Sequence, residues 1–183
     1  MFYLRQPVIR VNLLVMAYMW SACSFTYYMI AFQLKYLPGN IYTNSYASGS
    51  SELVAIAIAG YVYAKLGIKL SFSIAFIISA FGGLCILFIG EDSVFWMPFF
   101  VILAKFGISG GFVIVYVSTV DVFPTLFCAT ALGFCNFFAR VLTILAPEVA
   151  EQPPPIPMIL FVSLTSLGIL LIQFVKPLKD QKI

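Results

Sequence analysis

The sequence predicts an all-α integral membrane protein with six transmembrane helices. Of its 183 residues, 62% are apolar and 9% are charged, against roughly 25% charged in a soluble domain. The mean hydropathy is +1.05, more than a water-soluble fold of this length can hide. The apolar residues fall into six runs, and about 20 apolar residues suffice to cross a hydrocarbon core about 30 Å thick.

The first run covers residues 11–34 and follows a start, Met1 to Arg10, too polar for a secretory signal. Leu37-Pro-Gly-Asn40 is a turn by composition and separates it from the second run, 45–66. The third, 70–89, ends at Gly90-Glu-Asp92. The fourth, 95–120, carries Lys105, and the fifth, 126–147, carries Arg140. A proline cluster between Glu148 and Pro157 closes the fifth and opens the sixth, 157–175.

Basic residues set the expected orientation. With Met1 in the cytoplasm, Arg5, Arg10, Lys65, Lys69, Lys176, Lys179 and Lys182 fall inside and Lys35 falls outside. Glu91, Asp92, Glu148 and Glu151 also fall outside. Both termini are therefore expected in the cytoplasm. Cys23, Cys85, Cys128 and Cys135 each sit within an apolar run, without a CxxC pair, and histidine is absent. They read as small packing residues, and no metal site, cofactor or nucleic-acid partner is expected. Gly107 and Gly111, and Ala55 and Ala59, are spaced to let helix backbones approach.

Three ionisable residues remain inside the spans. At a rise of about 1.5 Å per residue, Glu52 and Arg140 lie about 10 Å below the outer surface and Lys105 about 15 Å below it. Arginine does not shed its charge at physiological pH, and placing it in hydrocarbon costs at least ~2.5–3.5 kcal/mol. Such a residue faces a wet cavity or an acid, and by depth Glu52 can pair with either Arg140 or Lys105. Asn136, four residues before Arg140, shares its face. Trp20, Tyr27 and Tyr28 offer π faces to a planar or cationic solute, or pack between helices. The lack of histidine, of HExxH and of a nucleophile–base pair argues against an enzyme.

The order of motifs resembles the carboxy-terminal six helices of the organic cation and anion transporters of the major facilitator superfamily. Trp20, Ser24 and Tyr27-Tyr28 look like that family's seventh helix, and Asn40-Ile-Tyr42 with Glu52 like its eighth. Gly60-Tyr-Val-Tyr-Ala-Lys-Leu-Gly-Ile-Lys69 resembles the cytoplasmic signature Gly-x-x-x-Asp-Arg-x-Gly-Arg-Arg. Gly60, Lys65, Gly67 and Lys69 fit it; Ala64 and Ile68 depart from it. Ala104-Lys-Phe-Gly107 resembles the Gly-Lys-x-Gly pattern of the tenth helix, and Asp121-Val-Phe-Pro-Thr125 resembles Glu-Leu-Tyr-Pro-Thr at its cytoplasmic end, with Cys128 where an arginine is expected. Gly133-Phe-Cys-Asn-Phe-Phe-Ala-Arg140 resembles Gly-x-x-Asn-x-x-Ala-Arg of the eleventh. Val175-Lys-Pro177 stands where a Pro-Glu-Thr motif is usual.

The resemblance implies one six-helix half-domain over residues 1–183 that moves a small organic ion by alternating access, with anions slightly favoured. Arg140, Lys105, Glu52, Asn136, Tyr27, Tyr28 and Trp20 would meet the solute. Gly60, Lys65, Gly67, Lys69, Asp121, Pro124 and Thr125 would form the cytoplasmic gate. The implied partners are the lipid bilayer, the solute and an amino-terminal six-helix half, in the same longer chain or in a second copy. The plasma membrane is the family's expected location. The alternative is a non-transporting membrane sensor or degenerate paralogue on the same half-fold, to which the altered Ala64, Ile68 and Cys128 point.

Overall fold

The computed structural model describes residues 6–35, 40–89 and 95–177. The described residues form helices and turns, without a strand. Arg5, the Leu37–Gly39 part of the expected first turn, the Gly90–Asp92 turn, Lys179 and Lys182 lie outside the described residues.

α1 spans Pro7–Gln33. Its proline sits in the first turn, where no intrahelical N–H is needed. Ile41–Ile89 forms α2, 49 residues long. A straight helix of that length would run about 70 Å, more than twice the hydrocarbon thickness. Gly67 interrupts it with φ 72° and ψ −179°, a conformation that strains any residue with a Cβ. There the chain doubles back: the Ser71 hydroxyl reaches the Val62 carbonyl at 3.3 Å, whereas nine residues of straight helix would separate them by about 13 Å. The arms 41–66 and 68–89 and α3, Met97–Val122, line a partly open cavity of about 50 Å³, with Ala59 from the first arm, Ala75 from the second and Gly107 and Gly110 from α3.

α3 runs Met97–Val122 and α4 runs Thr125–Thr143. Pro124 separates them, and its carbonyl accepts the N–H groups of Phe127 and Cys128 at 2.8 Å each. The apolar run through 147 implies a longer fifth helix than α4. Pro147 explains the difference, because its ring opposes the carbonyl four residues back, at Thr143. The chain restarts as the short α5, Ala146–Ala150, with Pro147 in its first turn. α6, Ile156–Leu171, continues into a 3-10 turn, Ile172–Phe174. Counting the arms of α2 separately, the membrane-crossing rods are α1, two arms, α3, α4 and α6.

The tightest seam lies between α3 and the second arm of α2. A Cβ on Gly107 would run into the Ala75 carbonyl and the Ser79 backbone, and one on Gly82 would come within 2.5 Å of the Ala104 nitrogen. The Ser79 hydroxyl donates to the Ala104 carbonyl across this seam at 3.0 Å. α4 is held differently: its buried residues are Ala131, Cys135 and Ala139, one narrow stripe at a spacing of four. At one end of the bundle, Asn12 donates to the Lys176 carbonyl at 2.8 Å and accepts the Lys176 N–H at 3.0 Å. At the other end Lys35 pairs with Glu151 at 3.4 Å.

Gly107→Ala should lower the thermal midpoint of the purified protein, because backbone atoms cannot yield to the added methyl; overpacking of this kind costs ~1–3 kcal/mol. Gly49→Ala, inside α2 and meeting nothing within 4 Å, should hold or raise the midpoint in the same melt, because alanine favours the helix over glycine.

Candidate functional site

Four helices bring polar side chains to one chain of contacts, and Tyr27 of α1 is its hub. The Tyr27 hydroxyl donates to Glu52 Oε1 on α2 at 2.6 Å. The Nζ of Lys105, from α3, sits 3.3 Å from the Tyr27 ring centroid and donates to the Tyr27 carbonyl at 3.5 Å. Lys105 is 3% exposed, so the ring face and carbonyl of a single residue replace much of its water. Among the described residues, neither Lys105 nor Arg140 forms an ion pair with Glu52 within 4.0 Å; the phenol of Tyr27 takes the carboxylate instead.

Tyr28 extends the chain to α4. Its ring meets that of Tyr27 edge-on at 5.4 Å, and its hydroxyl accepts a hydrogen bond from Arg140 Nη1 at 3.1 Å. Arg140 Nε donates to Asn136 Oδ1 at 3.3 Å, as their spacing of one helical turn predicts. A guanidinium carries five N–H donors, so three remain after these two bonds. Arg140 is exposed, on a helix that buries only its small-residue stripe. That geometry suits a planar or tetrahedral anion, which arginine grips with two parallel hydrogen bonds.

Trp20 lies behind this surface. It is 1% exposed, and its indole N–H donates to Thr119 Oγ1 at 3.2 Å. Phe112 and Tyr116 escape the sequence reading. Trp20 meets Tyr116 at 4.4 Å and Phe112 at 6.4 Å, and Phe112 meets Tyr27 at 5.5 Å. Their signal is present in the sequence, because Lys105, Phe112 and Tyr116 follow one another at spacings of seven and four along one face of α3. Ser24 and Thr143, hydrogen-bonded at 2.9 Å, add a second tie between α1 and α4.

The residues of the cytoplasmic motif take separate partners. Tyr63 donates to Asp121 Oδ2 at 2.6 Å, Lys69 donates to the Gln173 carbonyl at 2.9 Å, and Lys65 lies 5.9 Å from the Tyr61 ring centroid. Gly60 faces open space, Gly67 makes the reversal, and Pro124 and Thr125 start α4. With alanine at position 64, no carboxylate stands beside Lys65 in its own turn, and Asp121 is held by a phenol. Among the described residues no group of three His, Cys, Asp or Glu comes together to hold a metal.

No family model matches the chain. Individual proteins do. Solute carrier family 22 member 15 of Xenopus tropicalis is 30% identical over 148 residues, 76% of this chain and 28% of that protein. Solute carrier family 22 member 4 of Mus musculus is 33% identical over 73% of this chain and 24% of its own length. Organic anion transporter 3 of Oryctolagus cuniculus is 28% identical over 90% of this chain and 31% of its own length. The chain belongs to the solute carrier 22-like group of the major facilitator superfamily. It is an integral, multi-pass membrane protein, and these relatives of the solute carrier 22 group are transporters rather than enzymes. The chain spans less than a third of the length of each of these relatives.

Tyr27→Phe keeps the ring under Lys105 and deletes the donor to Glu52. It should destabilise the protein by ~1–3 kcal/mol, the cost of an unsatisfied polar partner. Tyr27→Leu should cost more, because the Lys105 ammonium loses its ring. Thermal melts of the two variants, each repeated on a Glu52→Ala background that removes the acceptor, separate the contributions; on that background Tyr27→Phe should have little further effect.

Proposed function

We propose that this chain is one six-helix half of a secondary transporter for a small organic ion, with anions slightly favoured. Arg140 carries the proposal: a permanent cation, three of its donors unused, stands on the open side of α4 at membrane depth. Lys105 and Arg140 outnumber Glu52 at the site, and the phenol-bound Glu52 leaves the guanidinium to the solute. Asn136 and Tyr28 orient Arg140. Tyr27 packs edge-on against Tyr28, and Trp20 supports the aromatic wall from behind. One relative is named as an organic anion transporter, which agrees with this polarity.

In the proposed cycle the half rocks against a second six-helix unit, in the same longer chain or in another copy, about a site near the midplane. Gly60, Lys65, Gly67, Lys69, Asp121, Pro124 and Thr125 lie at the end that closes toward the cytoplasm, and both termini lie on that side. The plasma membrane is the proposed location. The Tyr63–Asp121 bond joins the first arm of α2 to the end of α3 and moves with that gate.

Uptake by the full-length protein in proteoliposomes tests the proposal. Arg140→Ala should reduce uptake of organic anions at least tenfold, since a charged hydrogen bond contributes ~1.5–3 kcal/mol. Arg140→Lys should retain part of it, as a point charge without the fork. Unchanged anion uptake in Arg140→Ala would remove the guanidinium from the site.

A further inference from the structure

Three stretches remote in sequence meet at the end of the bundle opposite the Lys35–Glu151 pair. They are the first turns of α1, the reversal of α2 at Gly67, and the 3-10 turn after α6. Lys69 Nζ donates to the Gln173 carbonyl at 2.9 Å, and Gln173 Nε2 donates to Ser73 Oγ at 3.1 Å. Asn12 and Lys176 exchange the two hydrogen bonds described above. This stitching holds the backbone bearing Lys69 against the backbone bearing Lys176, with Lys65 four residues upstream across the reversal. Lys65 and Lys176 are exposed and Lys69 is half-buried.

The corner is rich in positive charge. Residues 53–90 contain no acid, and neither do residues 152–179. Among the described residues the acid near this end, Asp121, already accepts the Tyr63 hydroxyl. Asp180 follows Lys176 by four residues and lies outside the described ones, and with Lys65, Lys69, Lys176, Lys179 and Lys182 on this side the balance stays positive. Leu66, Leu70 and Phe174 flank the lysines and are exposed. Apolar side chains beside ammonium groups on long stems match the layering of a leaflet, with acyl chains next to headgroups. Orientation by charge alone asks only that cations lie on one side of the membrane. It does not ask that hydrogen bonds draw the segments carrying them to one corner.

We propose that this corner is a docking surface for an anionic phospholipid. Lys65, Lys69 and Lys176 meet its phosphate, and Leu66, Leu70 and Phe174 lie in the adjoining acyl layer. Lys69 spends one N–H on Gln173 and keeps two for phosphate oxygens. Lipid bound here bridges the α2 reversal and the segment after α6, so it stabilises the end of the bundle where α1, α2 and α6 converge. The surface follows from charge and packing and stands whether or not a solute crosses the protein.

Native mass spectrometry of the full-length protein, released from nanodiscs of phosphatidylcholine with or without phosphatidylglycerol, reads the retained lipid. The wild type should retain phosphatidylglycerol in preference to phosphatidylcholine. Lys65→Gln, Lys69→Gln and Lys176→Gln should each lower phosphatidylglycerol affinity about fivefold, the loss expected per surface cation. Lys35→Gln, at the opposite end, should leave the preference intact. The triple Lys→Arg variant keeps the charge and should keep the preference, which separates lost binding from lost folding. Equal retention of the two lipids by the wild type would overturn the proposal. So would an undiminished preference in the triple Lys→Gln variant, or loss of the preference in the triple Lys→Arg variant.

Discussion

A cation at mid-membrane depth needs electron density close by, and α1 supplies it to Lys105. The insertion cost of a lysine at a helix centre is ~2.5–3.5 kcal/mol. A desolvated ammonium over an aromatic face recovers about 2 kcal/mol, and the ring centroid lies 3.3 Å from Nζ. The remainder falls to the Tyr27 carbonyl and to the Glu52 carboxylate held by the same phenol. One residue therefore serves a cation through its ring and backbone and an anion through its hydroxyl. This works only if α1, α2 and α3 keep their present separations, which the glycines of α3 enforce. Gly107 seats α3 against the second arm of α2, and Gly111 lets Phe76 and Cys23 approach to 3.1 and 3.5 Å of a would-be Cβ.

The helices were legible in the sequence because each is an apolar run bounded by proline, glycine or charge. Their ends were legible where a local rule governs them. The end of the fifth helix shows the limit: hydrophobicity carries the run through 147, but the proline at its edge acts four residues upstream, so α4 stops at Thr143. At the second boundary the apolar runs leave residues 67–69 between them, and one glycine suffices for the reversal. Both differences arise from backbone sterics, which a hydropathy pattern does not encode.

The pairings of the site were less legible. Depth along the helix placed Glu52 level with Arg140 and within reach of Lys105, but depth says nothing about rotation. The helices of this bundle are apolar on nearly every side, so the sequence offers little contrast from which to read the facing direction. The Tyr27 hydroxyl takes Glu52, while Lys105 lies over the Tyr27 ring and Arg140 bonds Tyr28. The Arg140–Asn136 contact was legible because it is local and obeys helical spacing. Its tie to Tyr28 depends on how α1 and α4 cross, which spacing within one helix cannot supply.

The two kinds of seam in this bundle differ in what they permit. Between α3 and the second arm of α2, a methyl group added at Gly82 or Gly107 would strike backbone atoms, and backbone does not yield without moving a whole helix. Between α1 and α4 the contact is a narrow stripe, Ala131, Cys135 and Ala139, supplemented by the Ser24–Thr143 and Tyr28–Arg140 hydrogen bonds. Hydroxyl and guanidinium groups exchange partners at a small net cost, because each broken bond is replaced by one to water or solute. A helix that must respond to an ion is better fastened by exchangeable bonds than by interlocked backbones. Arg140 sits on the helix fastened in that way: one of its N–H groups ties α4 to α1 through Tyr28, and the ion proposed to bind its remaining donors would pull on the same guanidinium.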